Sequence, residues 1–200
     1  IARDYTDIES REYLRALNQA QENAVFFGAH FGGWEVYALA VYLQAKLAME
    51  GSHRAPNNPW VDRMLARMRS MNEGIPAHAK SREGGAAMMK AVKGGRSLGI
   101  LIDQKYNQGL SIPFFGVEAM TNPFFVQLAQ KYKCPLVPIR NTRLDGCRFR
   151  LSIFKPVEVL DVSGAARPVE DVIKECHALL ESWIIENPGQ WLWLHRRWPD

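Results

Sequence analysis

Residues 24–36, AVFFGAHFGGWEV, decide the predicted fold and locate its candidate site. The apolar run 24–29 has the length and composition of a buried strand, and a helix is predicted to begin at about Trp34. The strand delivers His30 to its carboxyl end, where the following glycine pair permits a tight turn and close approach of a ligand. Ligands of α/β sheets usually bind at this edge, so we expect the functional site here.

His30 and Glu35 have the chemistry of a general base and its partner. An imidazole takes a proton near neutral pH, and a carboxylate on its other ring nitrogen fixes the tautomer. The turn between the two residues lets the Glu35 carboxylate fold back onto His30, and the pair would then deprotonate a hydroxyl and direct it at a carbonyl. A histidine beside two glycines is also often an ordinary loop residue. The H-x4-E spacing lacks the second histidine of the HExxH zinc motif, which argues against a metal site.

Strand-like and helix-like runs alternate along the rest of the chain. Strands are predicted at 24–29, 75–79 and 97–103, and in a hairpin that turns at Asp145-Gly146. Helices are predicted at 8–22, 34–49, 57–71, 82–95, 121–133 and 169–188. This order predicts an α/β fold with a mixed central sheet flanked by helices.

Length, composition and cysteine spacing exclude several classes of protein. The chain has 200 residues, of which 47% are hydrophobic, so a disordered chain or a disulfide-stapled mini-protein is excluded. Cys134, Cys147 and Cys176 show no C-x-x-C spacing and are expected to be buried structural thiols. No run of about 18 uninterrupted apolar residues is present, so no transmembrane helix is predicted in these residues.

Positive charge is concentrated in the middle of the sequence. Residues 46–105 contain 11 Lys plus Arg and 5 Asp plus Glu, whereas the other 140 residues contain 14 and 16. Arg54, Arg67 and Arg69 are the leading candidates to bind phosphate, because a guanidinium binds it through two N–H donors. A solvated helix face, attraction to anionic lipid and docking of an acidic protein are alternatives. No nucleic-acid-binding motif accompanies the charge, so no nucleic-acid partner is expected.

Two further segments supply candidate substrate contacts. Asp103 ends an apolar strand, and its carboxylate is expected in the same cleft as His30, to orient an acceptor or pair with an arginine; a loop cap is the alternative. The terminal segment 190–198, QWLWLHRRW, alternates aromatic and polar residues and is predicted to be extended. It fits a membrane interface or packing on the domain, with Arg196 or Arg197 reaching the site.

Four segments occur in an order known from one enzyme family. They are HFGGWE (30–35), RAPNNPWVDRMLARMRS (54–70), LIDQKYNQGLSIPFFGVEAMT (101–121) and QWLWLHRRW (190–198). Together they resemble the lipid A biosynthesis acyltransferases of lipopolysaccharide assembly, within the H-x4-D/E glycerolipid acyltransferase superfamily. The terminal signature is the most selective of the four, whereas H-x4-E alone is common by chance.

The resemblance implies a reaction and its location. An acyl chain would move from an acyl carrier protein thioester to a hydroxyl of a lipid A precursor, without a cofactor or metal ion, at the cytoplasmic face of the bacterial inner membrane. By the same resemblance His30 is the general base, Glu35 is its orienting partner, and an anionic glycolipid and the membrane surface are partners. The family's N-terminal membrane helix and basic segment are not found in these residues. We therefore expect residues 1–200 to be a single catalytic domain.

Other functions stay open on the sequence alone. The acceptor is alternatively another glycolipid or a lysophospholipid. The same base would activate water in a thioesterase or hydrolase, which would release free fatty acid without an acceptor. A non-catalytic module that binds lipid or a carrier protein would tolerate the loss of His30 and Glu35.

Overall fold

The computed structural model of the chain describes residues 1–53, 58–61, 63–64, 75–79, 81–194 and 196–198. In these ranges the strands are β1 (Thr6–Ile8), β2 (Val25–Gly28), β3 (Met49–His53), β4 (Ala77–Ala79), β5 (Ser97–Leu101), β6 (Leu110–Phe114), β7 (Val117–Thr121), β8 (Leu136–Arg143) and β9 (Phe149–Ile153). The helices are α1 (Arg11–Gln19), α2 (Tyr37–Ala45), α3 (Arg82–Lys93), α4 (Phe124–Tyr132) and α5 (Val169–Glu186), with 3-10 turns at Trp34–Val36 and Pro188–Gln190.

In the described part of the chain, seven strands form one mixed sheet in the order β1-β9-β8-β2-β5-β3-β4. Strands β8, β2, β5, β3 and β4 run parallel to one another, whereas β9 is antiparallel to β8 and parallel to β1. Strands β6 and β7 form a separate antiparallel hairpin. The predicted α/β fold with a mixed central sheet and flanking helices is confirmed.

Helices cover both faces of the sheet, as its apolar strands require. Helices α3, α4 and α5 pack on one face in a core cluster that contains Phe27 of β2. Helices α1 and α2 pack on the other face in a cluster that contains Phe26. Neighbouring residues of β2 thus enter opposite cores, because side chains alternate along a strand. Strand β2 is thereby fixed at the centre of the sheet, and His30 follows its carboxyl end.

The predicted helix 34–49 is correct through Ala45, after a 3-10 turn at Trp34–Val36, and wrong over residues 46–49. Helix α2 ends at Ala45, because Lys46 adopts a left-handed conformation with φ of 59°. The chain then continues into β3 from Met49. Similarly, the helix predicted from residue 8 begins at Arg11, since residues 6–8 form the edge strand β1.

The hairpin of β6 and β7 is absent from the sequence prediction. Its two-residue turn consists of Phe115 and Gly116, both at positive φ (53° and 73°). Such turns favour Asn-Gly or Asp-Gly, so a phenylalanine at the first position conceals the turn signal. By contrast, the hairpin predicted around Asp145-Gly146 is confirmed as β8 and β9.

The cysteine prediction is correct for two residues of three. Cys134 and Cys176 are buried, whereas Cys147 is exposed between β8 and β9, so the prediction of a buried thiol there is wrong. No helix in the described ranges is long and apolar enough to cross a membrane.

Candidate active site

His30 and Asp103 meet because their strands are parallel neighbours. In the pairing of β2 with β5, Gly28 lies opposite Leu101. His30 follows Gly28 by two positions, and Asp103 follows Leu101 by two positions. Both residues therefore lie at the same edge of the sheet. The sequence placed Asp103 in the cleft of His30, and the structure confirms this, with an imidazole rather than an arginine as its partner.

The imidazole of His30 is held through both ring nitrogens. Asp103 Oδ1 lies 2.8 Å from Nδ1, and Asp103 Oδ2 accepts the backbone N–H of His30 at 3.1 Å. Gln104 Nε2 lies 3.2 Å from His30 Nε2. Because an ionised carboxylate only accepts hydrogen bonds, these contacts assign the proton to Nδ1 and the lone pair to Nε2. The lone pair of Nε2 is the feature that a general base requires.

Asp103 is ionised although it is only 4% exposed. Burial raises the pKa of this carboxyl, but the hydrogen bonds and charge of His30, together with a hydrogen bond from Trp191, bring it below its ordinary value. A buried carboxylate on Nδ1 stabilises the imidazolium that forms when Nε2 takes a proton. The pair therefore has the electrostatics of a general base with its supporting acid group.

The carboxylate on His30 is thus that of Asp103 and not that of Glu35, which corrects the predicted contact. The chain enters a 3-10 turn directly after Gly33. This turn places Trp34 against the imidazole, with ring centroids 4.9 Å apart, and leaves the Glu35 side chain exposed. Within the described ranges, no hydrogen bond or ion pair joins Glu35 to His30.

The glycine pair after His30 is required by close packing. Gly32 has φ of 58°, and a Cβ there would overlap the carbonyl oxygen of Asn141 in β8. A Cβ on Gly33 would overlap the ring of Phe149 in β9. These glycines let the loop cross the ends of two strands, as the predicted tight turn requires.

The C-terminal segment lies along the loop that carries His30. The N–H of Leu192 donates to the carbonyl oxygen of His30 at 2.8 Å, and Phe31 and Trp191 form an antiparallel bridge. The segment is therefore extended at this point, as predicted. It brings the indole of Trp191 to Asp103, where Nε1 donates to Oδ2 at 3.0 Å. The sequence did not single out Trp191, because nothing local marks which strand end an aromatic segment will reach.

The two arginines of this segment occupy different environments. Arg197 is 2% exposed, and its guanidinium donates to Met120 O and Thr121 Oγ1, each at 2.7 Å. Burial lowers the pKa of Arg197 to about 10, and the charge of Asp103 acts in the opposite direction. Arg197 thus anchors the segment to the hairpin of β6 and β7, and its burial argues against the predicted substrate contact. Arg196 is exposed.

A cavity of about 990 Å³ lies on the far side of Gln104 from His30, and His30 is not among the described residues that line it. Gln104, which contacts His30 Nε2, is one of its lining residues. Its apolar wall includes Met88, Ile102 and Phe125, and its cationic residues are Arg82, Lys105 and Arg196. No Asp or Glu occurs among the described residues of the lining. The cavity therefore suits a ligand that has both apolar and anionic parts.

Arg54, Arg67 and Arg69, the leading sequence candidates for phosphate binding, lie outside the described residues. The cations that the structure places at the cavity come instead from α3, from the loop after β5 and from the C-terminal segment. Of these, the sequence singled out Arg196.

The mixed α/β fold, the His30–Asp103 pair at its sheet edge and the adjoining cavity define a class of site suited to general-base chemistry on an amphiphilic ligand. Residues 2–200 match the family described as bacterial lipid A biosynthesis acyltransferase, and the chain belongs to this family.

Relatives with related names support the same assignment. A lipid A biosynthesis lauroyltransferase of Escherichia coli (strain K12) is 27% identical over 197 residues, which cover 96% of this chain and 61% of the relative. A lipid A biosynthesis palmitoleoyltransferase of the same strain is 26% identical over 200 residues, which cover 98% of this chain and 62% of the relative. A lipid A biosynthesis acyltransferase of Shigella flexneri matches at the same identity and coverage. The chain thus spans about three fifths of the length of these relatives.

Proposed function

We propose that this chain transfers an acyl group from an acyl carrier protein thioester to a hydroxyl of a lipid A precursor. One observation carries the proposal: in a chain of the lipid A acyltransferase family, a buried carboxylate holds His30 with Nε2 as the basic nitrogen, and Nε2 contacts Gln104, which lines a cavity. The names of the relatives support an acyl donor and a lipid A acceptor.

In the proposed reaction, the acceptor hydroxyl first replaces the Gln104 amide as the hydrogen-bond partner of His30 Nε2. His30 Nε2 then takes the proton of this hydroxyl. The acceptor oxygen attacks the thioester carbonyl carbon, and a new C–O bond forms. The C–S bond then breaks, and the imidazolium returns its proton to the leaving sulfur. The products are an ester and the free thiol of the carrier, so no covalent acyl-enzyme is needed. Asp103 stabilises the imidazolium throughout.

Glu35 is proposed to act on the substrates rather than on the imidazole. Its carboxylate is exposed in the 3-10 turn that follows the His30 loop. Such a group is placed to contact an incoming acceptor or the carrier protein. Loss of Glu35 should therefore cost less activity than loss of Asp103.

The cationic residues of the cavity are proposed to bind the anionic headgroup of the acceptor. Arg82, Lys105 and Arg196 surround an apolar wall without a neighbouring carboxylate in the described lining. Guanidinium and ammonium groups bind phosphate by charge and hydrogen bonds, which fits a phosphorylated glycolipid. Phosphate binding by Arg54, Arg67 and Arg69 stays a prediction.

Contact with a membrane surface is proposed through the C-terminal segment. Leu192, Trp193 and Leu194 are 46%, 60% and 77% exposed, and Leu192 is hydrogen-bonded to the backbone of His30. Consecutive exposed apolar residues next to a lipid-handling site fit the interfacial region of a bilayer. We place this surface at the cytoplasmic face of the bacterial inner membrane, where carrier protein is available.

The test compares acyl transfer and acyl hydrolysis by the purified chain. His30→Gln should lower transfer from acyl carrier protein to a lipid A precursor by about a thousandfold, because it removes the general base. His78→Gln is the matched control, since His78 also contacts a buried carboxylate, Glu50, but lies on strand β4. Transfer at the wild-type rate by His30→Gln would refute the assignment of the base.

Assays with different acceptors distinguish lipid A acylation from hydrolysis and from acylation of another lipid. Release of free fatty acid at the same rate with and without the lipid would identify a hydrolase instead. Faster transfer to a lysophospholipid than to a lipid A precursor would refute the proposed acceptor.

A further inference from the structure

We infer that Trp191 is a positioning residue of the proposed reaction, which holds the Asp103 carboxylate in place so that Asp103 fixes the tautomer and orientation of His30. The kinetic part of this inference rests on the proposed function, whereas its structural part does not. The contact that carries it is the 3.0 Å hydrogen bond from Trp191 Nε1 to Asp103 Oδ2.

Within the described residues, the Asp103 carboxylate has three hydrogen-bond donors, and two of them belong to His30. These are the ring Nδ1–H and the backbone N–H, at 2.8 Å and 3.1 Å. Such a pair alone would let the carboxylate and the imidazole move together. The indole comes from a segment 88 residues away in sequence and attaches the carboxylate to a different part of the fold. The indole therefore constrains the direction of Oδ1 from outside His30, and within the described residues no other side chain does so.

Burial makes this third donor important. Asp103 is 4% exposed, so water cannot readily replace a lost protein donor on Oδ2. Without the indole, Oδ2 would keep the backbone N–H of His30 as its donor within the described ranges, so the carboxylate would rotate about χ2 more readily and break its bond to Nδ1 more often. During those openings the ring would exchange between tautomers, and Nε2 would carry the lone pair only part of the time.

The indole itself is fixed on several sides. The backbone of Trp191 pairs with Phe31, one residue from His30. Its ring stacks on Trp193 at 5.5 Å and meets Phe114 edge-on at 6.0 Å. Further along the segment, the buried guanidinium of Arg197 holds the chain to β7. A donor held in this way can orient the group to which it donates.

Two phenylalanine variants separate positioning from packing. Trp191→Phe keeps an aromatic ring but removes the N–H donor. Trp193→Phe is the matched control, because its ring stacks on Trp191 while its indole N–H has no hydrogen-bond partner within the described ranges. A purely structural role would lower stability in both variants and leave the imidazole tautomer unchanged.

The readout is ¹⁵N NMR of histidine side chains in the 200-residue chain, with His30 assigned through His30→Gln. Wild type and Trp193→Phe should show a protonated Nδ1 and an unprotonated Nε2. Trp191→Phe should show averaged shifts for the two nitrogens. It should also lower kcat by about tenfold or more, the effect of one hydrogen bond to a charged group, with little change in KM. An unchanged tautomer and kcat in Trp191→Phe would overturn the inference.

A second measurement keeps the inference testable if Trp191→Phe does not fold. In the wild-type background, Asp103→Asn should move the indole N–H proton resonance of Trp191 upfield and leave that of Trp193 in place. No movement would refute the hydrogen bond. If wild type transfers no acyl group to any lipid, the proposed function fails, but the NMR result still decides whether Trp191 positions the pair.

Discussion

Acid should destabilise this fold through His177, a buried histidine of α5 outside the candidate site. The side chain is 1% exposed, and its Nδ1 donates to the carbonyl oxygen of Pro113 at 2.8 Å. Its Nε2 lies 3.3 Å from Arg197 Nη2, so it must carry a lone pair rather than a proton. Burial lowers the pKa of His177 from 6.5 to about 4, the charge of Arg197 acts in the same direction, and the Pro113 hydrogen bond opposes both.

The size and sign of the effect follow from proton linkage. Between pH 6.5 and about pH 4, the unfolded chain binds a proton at this histidine that the folded chain does not bind. The free energy of unfolding therefore decreases as the pH falls through this window and is recovered as the pH rises. At about 1.4 kcal/mol per pH unit, the loss amounts to about 3 kcal/mol by pH 4. A typical domain has a total stability of about 5–15 kcal/mol, so the effect is large.

Urea unfolding of wild type and His177→Gln between about pH 7 and pH 4.5 measures this contribution. Glutamine can still donate to the Pro113 carbonyl but does not titrate. The variant should be less stable at neutral pH, and the difference should shrink by about 2–3 kcal/mol toward pH 4.5. A difference that stays constant over this range would refute the reasoning. If the variant does not fold, NMR titration of wild-type His177 replaces it, and a ring that protonates near pH 6.5 refutes the same reasoning.

Three further perturbations test the site and its surroundings. Glu35→Gln should lower kcat for acyl transfer by less than about tenfold, because the exposed carboxylate is proposed to contact the substrates and does not contact the base; a thousandfold loss would show instead that Glu35 is essential for catalysis. Gly32→Ala should lower the free energy of unfolding, measured in urea, by about 2 kcal/mol or more, since its φ of 58° and the adjacent β8 carbonyl exclude a Cβ. Trp193→Ser and Leu194→Ser should weaken cosedimentation with phosphatidylglycerol vesicles. Ile185→Ser, at an equally exposed position on α5, should not, and equal effects of all three would refute the proposed membrane surface.

The parts of the fold that the sequence predicts correctly have local signals. The buried strand at 24–29, the turn at Asp145-Gly146 and the long helix before Pro188 each carry their pattern within a few neighbouring residues. Strand β3 has no such pattern, because MEGSH resembles neither an alternating nor an apolar strand. It forms a strand since β4 and β5 supply partners on both sides. Its conformation is set by tertiary contacts, which periodicity cannot detect.

The partner of His30 shows the same limit at the site. Sequence proximity favoured Glu35, five residues away, whereas the carboxylate on the ring is Asp103, 73 residues away. A 3-10 turn rotates Glu35 away from the ring, and parallel register brings Asp103 to it. The sequence did place Asp103 at the correct edge of the sheet, because the apolar pattern of a buried strand shows where that strand ends. It could not predict that the ends of β2 and β5 lie side by side, since the order of strands in a sheet depends on contacts between distant segments.

These contacts also connect acid stability to the candidate site. Protonation of His177 would remove the lone pair that faces Arg197 and set two positive groups against each other in a buried position. Arg197 is the anchor of the segment that carries Trp191, and Trp191 holds the carboxylate of Asp103. We therefore expect protonation of His177 in α5 to disturb the geometry of His30 through Arg197 and Trp191. The candidate site is assembled from the segments that carry His30, Asp103 and Trp191. Its geometry therefore depends on the contacts of Arg197, which hold the Trp191 segment on the fold.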